Sequence, residues 1–320
     1  MPGRELILWA AFVWLLVPGF ATAALPTRDQ HLGPVTDIVV SGQRVFSVSQ
    51  GGVFEGIGPK LKRVFRPLFR VTSLAVAGDS LLLAGGDPGL SGIVGLYELR
   101  DGRFHTIRVA DDLVYDVAVH PKNNLAALAC ADNRVMTIAL PGLKTETLQE
   151  RYRHTAAVRA VAFSGKGDHL ASGGLDALVM LFSLNGLSKP IPIQDHSDKV
   201  DCLIFSPDST LLASGARDGK VRIHNLAGRL VRTYTGISEE SAEIGWDNNP
   251  YVWSLAWSKR GPALMAGGAN GSLYQLSTTD NRWTKLAGAM TKPIYSLAFS
   301  ESGELLIGTH TIASRAIVTR

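Results

Sequence analysis

Cysteine and charge are both scarce in this sequence of 320 residues, which has two cysteines, Cys130 and Cys202, and 19% charged residues. Neither cysteine has a CxxC, CxxCH or Cys/His ligand spacing, which excludes a disulfide scaffold, a zinc finger and attached c-type haem. The hydrophobic share of 46% excludes a disordered chain, because such chains lack the apolar residues for a core. The net charge of +4 comes from scattered side chains, so it does not indicate nucleic-acid binding.

The common catalytic motifs are also missing. The sequence has no GxSxG elbow, no GxxxxGK[ST] loop and no HExxH pair, and these motifs need strand-to-helix geometry that the pattern does not provide. The glycine-rich stretch from Gly85 to Gly92 is interpreted as a long hairpin loop rather than a phosphate cradle, because no helix follows it. We therefore expect no enzyme activity, no cofactor and no metal site.

The N-terminus has the pattern of a signal peptide. An apolar run from Leu6 to Phe20 is followed by Ala21-Thr22-Ala23, a small-x-small cleavage site. The alternative is an uncleaved anchor, since Leu6 to Leu25 is long enough to cross a membrane. Pro18-Gly19 favours cleavage, because this pair would interrupt a spanning helix. We predict a signal peptide over residues 1–23 and a periplasmic or secreted protein.

A repeat runs through the rest of the chain. Seven similar apolar runs follow one another at intervals of 36 to 52 residues. They begin at Val35, Val71, Val114, Val158, Val200, Val252 and Ile294. A repeat of about forty residues is typical of a radial architecture.

Each unit contains four short runs separated by turns. In the fifth unit the turn Ser206–Ser209 leads to Leu211–Gly215, Asp218-Gly219 leads to Lys220–His224, and Leu230–Tyr234 follows. Alternating polar and apolar residues predict half-buried strands, and four antiparallel strands make one propeller blade. The sequence predicts an all-β fold, a seven-bladed β-propeller of four-stranded antiparallel blades over residues 24–320.

The fourth and fifth units resemble the WD40-repeat family, and we expect an exported bacterial member with degenerate repeats. The fifth unit carries the Phe-Ser-Pro-Asp turn at 205–208 and Leu-Ala-Ser-Gly at 212–215, but His224-Asn225 stands where the family has Trp-Asp. The one Trp-Asp pair, Trp246-Asp247, lies in an insertion. The resemblance implies a structural hydrogen-bond network in each of these two units, formed by His154, Ser172 and Asp176 and by His196, Ser214 and Asp218.

The resemblance also implies a partner-binding face at one end of the propeller. Its positions flank the first valine of each unit or precede the turn aspartate. They are Arg70, Thr72, Leu113, Tyr115, Arg159, Lys199, Asp201, Arg217, Tyr251, Trp253 and Tyr295. Aromatic residues and arginines are typical of interface hot spots. The alternative is that Tyr115, Trp253 and Tyr295 only fill the central channel.

These features predict a non-catalytic exported scaffold that binds other proteins on a propeller face, as part of an envelope or periplasmic redox complex. We expect a monomeric propeller within that complex, with no nucleic acid and no membrane contact except through an uncleaved N-terminal segment. The alternative is a propeller enzyme or cofactor-binding protein, lactonase-like or quinoprotein-like, which should place acidic or histidine clusters in the channel.

Three further expectations concern the ends, an insertion and the thiols. The last unit lacks a fourth strand, and residues Ala24 to Leu32 are expected to supply it so that no sheet edge stays open. The insertion from Ile237 to Pro250 is acidic and is either a docking loop for a basic partner or a solvated loop. Cys130 and Cys202 lie in different units, too far apart for a disulfide, and are predicted to be two buried thiols.

Overall fold

The regular structure of the protein is almost entirely β-strand. The computed structural model describes residues 31–185, 189–235, 251–259, 263–278, 282–286, 292–310 and 312–316. In those residues no helix has the length and apolar character needed to span a membrane. Two single 3-10 turns lie at Gly58–Lys60 and Thr145–Thr147. The predicted signal peptide, residues 24–30 of the predicted closing segment and the acidic insertion lie outside the described residues.

The first three sheets each have four antiparallel strands in sequential order. Blade 1 contains Asp37–Ser41 (β1), Arg44–Ser49 (β2), Gly52–Glu55 (β3) and Lys62–Phe65 (β4). Blade 2 contains Arg70–Ala77 (β5), Ser80–Asp87 (β6), Ser91–Glu98 (β7) and Phe104–Ala110 (β8). Blade 3 contains Val114–Val119 (β9), Leu125–Cys130 (β10), Arg134–Ala139 (β11) and Gln149–Arg153 (β12).

Three more four-stranded blades follow, and then a smaller sheet. Blade 4 contains Val158–Phe163 (β13), His169–Gly174 (β14), Val179–Ser183 (β15) and Ile191–Ile193 (β16). Blade 5 contains Val200–Phe205 (β17), Leu211–Ala216 (β18), Val221–Asn225 (β19) and Leu230–Tyr234 (β20). Blade 6 contains Val252–Trp257 (β21), Ala263–Gly268 (β22), Leu273–Ser277 (β23) and Trp283–Lys285 (β24). Sheet 7 contains Ser296–Phe299 (β25), Glu304–Gly308 (β26) and Ile312–Ala316 (β27).

The predicted propeller of four-stranded antiparallel blades is confirmed, but the predicted number of seven such blades is wrong. The structure has six four-stranded blades, and sheet 7 has three strands in the described residues. The repeat of first strands correctly located each sheet. It did not specify how many strands complete the last one, because only the first strands carry the repeat by which the blades were counted.

Small residues in the second strands allow neighbouring sheets to pack closely. A Cβ atom on Gly173 would lie 2.7 Å from Val200 Cγ1 of the next blade, and one on Gly215 would lie 2.6 Å from Val252 Cγ1. Real Cβ atoms do not approach so closely, so only glycine allows these valines to reach the neighbouring sheet. The first valine of one unit therefore fills the space left by the glycine of the preceding unit.

A separate hydrophobic cluster lies between each pair of neighbouring sheets, and the seventh cluster closes the ring. It joins Val35, Ile38 and Val45 at the start of the chain to Leu306 of sheet 7. The backbone N–H of Val35 donates to the carbonyl of Thr309 over 2.7 Å. The two ends of the described chain are thus tied by packing and by a backbone hydrogen bond.

Candidate functional site at the channel mouth

A cavity of about 640 Å³ opens at the centre of the ring and is lined from all seven sheets. The positions predicted to bind a partner line it, with the exception of Lys199. The residues brought together are Arg70, Thr72, Leu113, Tyr115, Arg159, Asp201, Arg217, Tyr251, Trp253 and Tyr295. We call this set the channel mouth. Lys199 lies half-buried on the adjacent turn.

β-Bulges set the direction of five of these side chains. In blades 2 to 6 the pairing of the first strand with the second skips one residue just after the first valine. The skipped residues are Thr72, Tyr115, Arg159, Asp201 and Trp253. A bulged residue has no cross-strand partner, and the local bend changes the direction of its side chain. The bulges therefore supply the channel mouth with side chains that the sheet does not require for its ladder.

A shared carboxylate holds two arginines in fixed positions. Asp201, whose side chain is buried, accepts a hydrogen bond from Arg217 Nε at 2.7 Å and one from Arg159 Nε at 3.3 Å. The Arg159 guanidinium also lies 4.3 Å from the ring centroid of Tyr115, and that of Arg217 lies 5.4 Å from the ring of Tyr251. One negative charge faces two positive charges, so the channel mouth keeps a net positive charge here.

Aromatic rings line the channel mouth at blade 6 and sheet 7. The rings of Trp253 and Tyr295 are stacked, with centroids 5.5 Å apart and an interplanar angle of 19°. The His310 ring meets Tyr295 edge-on at 6.0 Å. Trp253 and Tyr295 are both only half-buried, so they offer an apolar surface to the cavity. Their stacking supports each ring against rotation, which is what a rigid contact surface needs.

A deeper row of three side chains links the first strands of blades 1, 2 and 3. Ser73 Oγ lies 2.9 Å from Asp37 Oδ2 and 2.8 Å from Asp116 Oδ1. A serine hydroxyl donates one hydrogen, so both contacts are hydrogen bonds only when one carboxyl carries a proton. Burial and the nearby Asp116 carboxylate raise the pKa of Asp37 to about 7. The pair therefore retains a proton at a pH where most carboxyls are ionised.

These deep carboxylates also bind the backbone of the next blade. Asp37 accepts from the N–H of Leu74 at 2.8 Å, and Asp116 accepts from the N–H of Val161 at 2.9 Å. Asp37 and Asp116 line the channel, where the enzyme or cofactor-binding alternative expects acidic side chains. Their hydrogen bonds to neighbouring blades give them a structural role. Within the described residues, no three His, Cys, Asp or Glu side chains are grouped to hold a metal ion.

The two histidine networks hold the turns of blades 4 and 5. In blade 4, His154 Nε2 lies 2.9 Å from Ser172 Oγ and His154 Nδ1 lies 3.1 Å from Asp176. In blade 5, the corresponding distances are 2.8 Å from His196 to Ser214 and 3.2 Å from His196 to Asp218. Both histidines are buried. Each network thereby joins the loop before a first strand to the second strand and the following turn.

Blade 5 adds an arginine that sequence reasoning missed. Arg222 Nη1 donates to Asp218 Oδ2 over 2.7 Å, and the Arg222 side chain is only 7% exposed. Burial opposes the charged form of Asp218, but hydrogen bonds from His196 and Arg222 outweigh it and hold the pKa of that carboxyl well below its usual value. Arg222 pairs with Ser214 across the ladder, in the register position that Met180 occupies in blade 4.

The WD domain, G-beta repeat family matches residues 145–183 and 189–225, the two units that contain these networks. The chain belongs to the WD40-repeat family.

Relatives of this WD40 propeller match only parts of their own chains. Cross-pathway control WD-repeat protein 2 of Flammulina velutipes is 31% identical over 163 residues, which are 49% of each chain. Small ribosomal subunit protein RACK1 of Neurospora crassa is 31% identical over 153 residues, 46% of this chain and 45% of RACK1. WD repeat and HMG-box DNA-binding protein 1 of Mus musculus is 25% identical over 187 residues, 58% of this chain and 16% of that protein. The WD40 propeller thus spans about half or less of the length of these curated relatives.

The thiols of the WD40 propeller are not activated. Cys130 is buried as expected, but Cys202 is half-buried, so the prediction of two buried thiols is wrong for Cys202. The reason is that Cys202 occupies a first-strand position that faces the channel. Burial of the thiol groups raises the pKa of both cysteines. Reactive cysteines need a lowered pKa, so neither thiol is suited to redox chemistry at neutral pH.

Proposed function

We propose that this WD40 propeller is a non-catalytic scaffold that binds other proteins at the channel mouth. The observation that carries the proposal is the set of bulged residues that aims aromatic and arginine side chains into one cavity of about 640 Å³. Arginine, tyrosine and tryptophan dominate interface energetics because they bury large surfaces and make directional contacts. The relatives include one named MST50-interacting protein 11, from Pyricularia oryzae, 30% identical over 149 residues.

The enzyme or cofactor-binding alternative has less support. The comparisons name WD-repeat proteins, and the acidic pair in the channel is bonded to backbone N–H groups of neighbouring blades. A catalytic carboxylate must instead reach a substrate atom. Binding of other proteins at the channel mouth is therefore the function that the geometry supports best.

Trp253→Ala should weaken partner binding by about 2 kcal/mol or more, roughly 30-fold in Kd, as truncation of an interface hot spot does. Folding should change little, because the residue is half-buried and unpaired in the ladder. The measurement is the affinity for a partner first identified by cross-linking and mass spectrometry, then purified, together with the thermal melt of each variant.

Trp257→Ala is the matched control, since Trp257 is buried between blades 5 and 6. It should lower the free energy of unfolding substantially, because a large side chain leaves a cavity. If Trp253→Ala unfolds like Trp257→Ala, or if it binds the partner with normal affinity, then Trp253 only fills the channel and the proposed surface is wrong.

We further propose that the protein is exported, on the basis of the N-terminal pattern. N-terminal sequencing of the protein recovered from the extracytoplasmic fraction should begin at Ala24. Ala23→Leu should block processing, because the residue before the cleavage site must be small, whereas Thr22→Leu should leave it intact. Full-length protein found in the cytoplasm would contradict export.

A further inference from the structure

The segment from Pro59 to Arg70 is strongly basic. Its sequence, PKLKRVFRPLFR, has five basic residues and no acidic residue. They are Lys60, Lys62, Arg63, Arg66 and Arg70. This concentration corrects the view that basic side chains are scattered, which composition alone suggests. We call residues 60–69 the basic edge, and leave Arg70 with the channel mouth that it lines.

The fold places the basic edge on the outer strand of blade 1. Strand β4 is the last of that sheet, and residues 66–69 then cross to the first strand of blade 2. Lys60, Lys62 and Arg66 are exposed, and within the described residues none of the three forms a salt bridge. Lys62 lies opposite Glu55 in the sheet and interacts with that carboxylate by its charge. The charges of Lys60 and Arg66 are available to a partner from outside the chain.

An apolar residue protrudes at the tip of the basic edge. Leu68 is fully exposed, at 106% of its reference surface. Beside it, Phe69 is half-buried, and its ring lies parallel to that of Phe104 at 6.4 Å. Phe104 in turn packs on Phe65, with ring centroids 5.0 Å apart. Leu68 thus projects next to Phe69, whose ring is part of a packed aromatic cluster with Phe104 and Phe65.

The combination of an exposed leucine and of exposed cations spread along the same edge decides between possible partners. A nucleic-acid surface uses cations and stacking rings, and an isolated aliphatic tip adds nothing to phosphate contacts. An acidic protein surface would leave Leu68 in a polar setting. At an anionic bilayer, the leucine enters the acyl boundary while lysine and arginine remain at the headgroups. Both features of the basic edge are then used at once.

We propose that the basic edge of blade 1 docks on an anionic lipid bilayer, with Leu68 inserted and Lys60, Lys62 and Arg66 at the headgroups. The complementary charges of these cations and of anionic headgroups support this orientation.

Co-sedimentation of the purified, naturally processed protein with lipid vesicles tests whether the basic edge binds an anionic bilayer. The probes are phosphatidylcholine vesicles with and without phosphatidylglycerol, at low and high salt. The triple variant Lys60→Gln, Lys62→Gln, Arg66→Gln should bind anionic vesicles on the order of 100-fold more weakly. Leu68→Ser should bind about 10-fold more weakly. All variants should keep the wild-type thermal melt, because the substituted side chains are exposed.

Matched controls come from other blades. The triple variant Lys122→Gln, Lys144→Gln, Arg229→Gln removes as many exposed charges. Leu90→Ser removes an exposed leucine outside the basic edge, whose neighbouring cation, Arg108, is paired with Asp111. Both should bind like the wild type. Equal losses in the two triple variants, an unaffected Leu68→Ser, or equal binding to neutral vesicles would each overturn the proposal. So would an oligonucleotide or polyglutamate probe that binds the basic edge while the vesicles do not.

Discussion

Asp218→Ala should lower the free energy of unfolding by about 3 to 5 kcal/mol, because it leaves a buried guanidinium without its counter-charge. The Asp218 side chain is 3% exposed, and it accepts hydrogen bonds from Arg222 and from the N–H groups of Ser197 and Lys220. Replacement also removes the contact to His196. Urea denaturation of the variant and the wild type measures the difference.

Blade 4 offers the internal comparison. Asp176→Ala breaks the equivalent histidine network, but the position of the arginine is occupied there by Met180. The expected cost is about 1 to 3 kcal/mol, that of unsatisfied buried hydrogen-bonding groups. Asp208→Ala, on an exposed turn, should cost less than about 1 kcal/mol. The ranking is contradicted if Asp218→Ala and Asp176→Ala cost the same.

The coupling to Arg222 can be isolated by a second substitution. In the background of Arg222→Met, which copies blade 4, Asp218→Ala should cost no more than Asp176→Ala does in the wild type. The difference between the two Asp218 measurements is the interaction energy of the pair. A cost of Asp218→Ala that stays unchanged in the Arg222→Met background would assign the destabilisation to the other partners of Asp218, which are His196 and the N–H groups of Ser197 and Lys220.

Asp37→Asn should abolish a pH dependence of stability that spans about pH 4 to pH 7. The pKa of Asp37 is raised from 3.8 to about 7 in the folded protein, so the folded state binds the proton more tightly than the unfolded state. The stabilisation is complete below pH 4 and is lost as the pH rises through 7. The shift corresponds to about 4 kcal/mol across the window.

The measurement is the difference in unfolding free energy between wild type and Asp37→Asn at several pH values. The variant should not lose stability between pH 4 and pH 7 as the wild type does, because its amide oxygen accepts from the N–H of Leu74 without a charge. Its amide nitrogen cannot accept from the N–H of Ile38, which should cost a constant amount at every pH. Asp116→Asn should also flatten the curve, since it removes the neighbouring carboxylate, whereas Asp111→Asn on the exposed surface should not. A constant difference from pH 4 to pH 8 would show that Asp37 is ionised throughout.

Local patterns predicted much of the fold. The first valine of each unit, the small residues of the second strands and the Asp-Gly turn are encoded within a few residues of one another, so the sequence alone indicates blades and their order. The residues around Val200 and Val252 could be placed at the channel mouth for the same reason. Their role in binding a partner remains a prediction.

Features that depend on neighbouring blades were not visible in the sequence. Asp37 and Asp116 are 79 positions apart, yet Ser73 lies between them, because equivalent positions of successive first strands meet around the channel. The pairing of Arg222 with Asp218 depends on cross-strand register, which a pattern of apolar residues does not specify. Closure of the ring joins Val35 to Thr309, two residues that no local pattern relates.

The bulges at the channel mouth allow the surface of the cavity to change by substitution while the β-sheets stay the same. Thr72, Tyr115, Arg159, Asp201 and Trp253 occupy equivalent places in five blades, and they have in common neither size, charge nor polarity. Since each is skipped by the ladder, a substitution there changes what the cavity presents without shifting the strand register on either side. A propeller of this kind can therefore acquire a new binding specificity one side chain at a time while its blades remain the same.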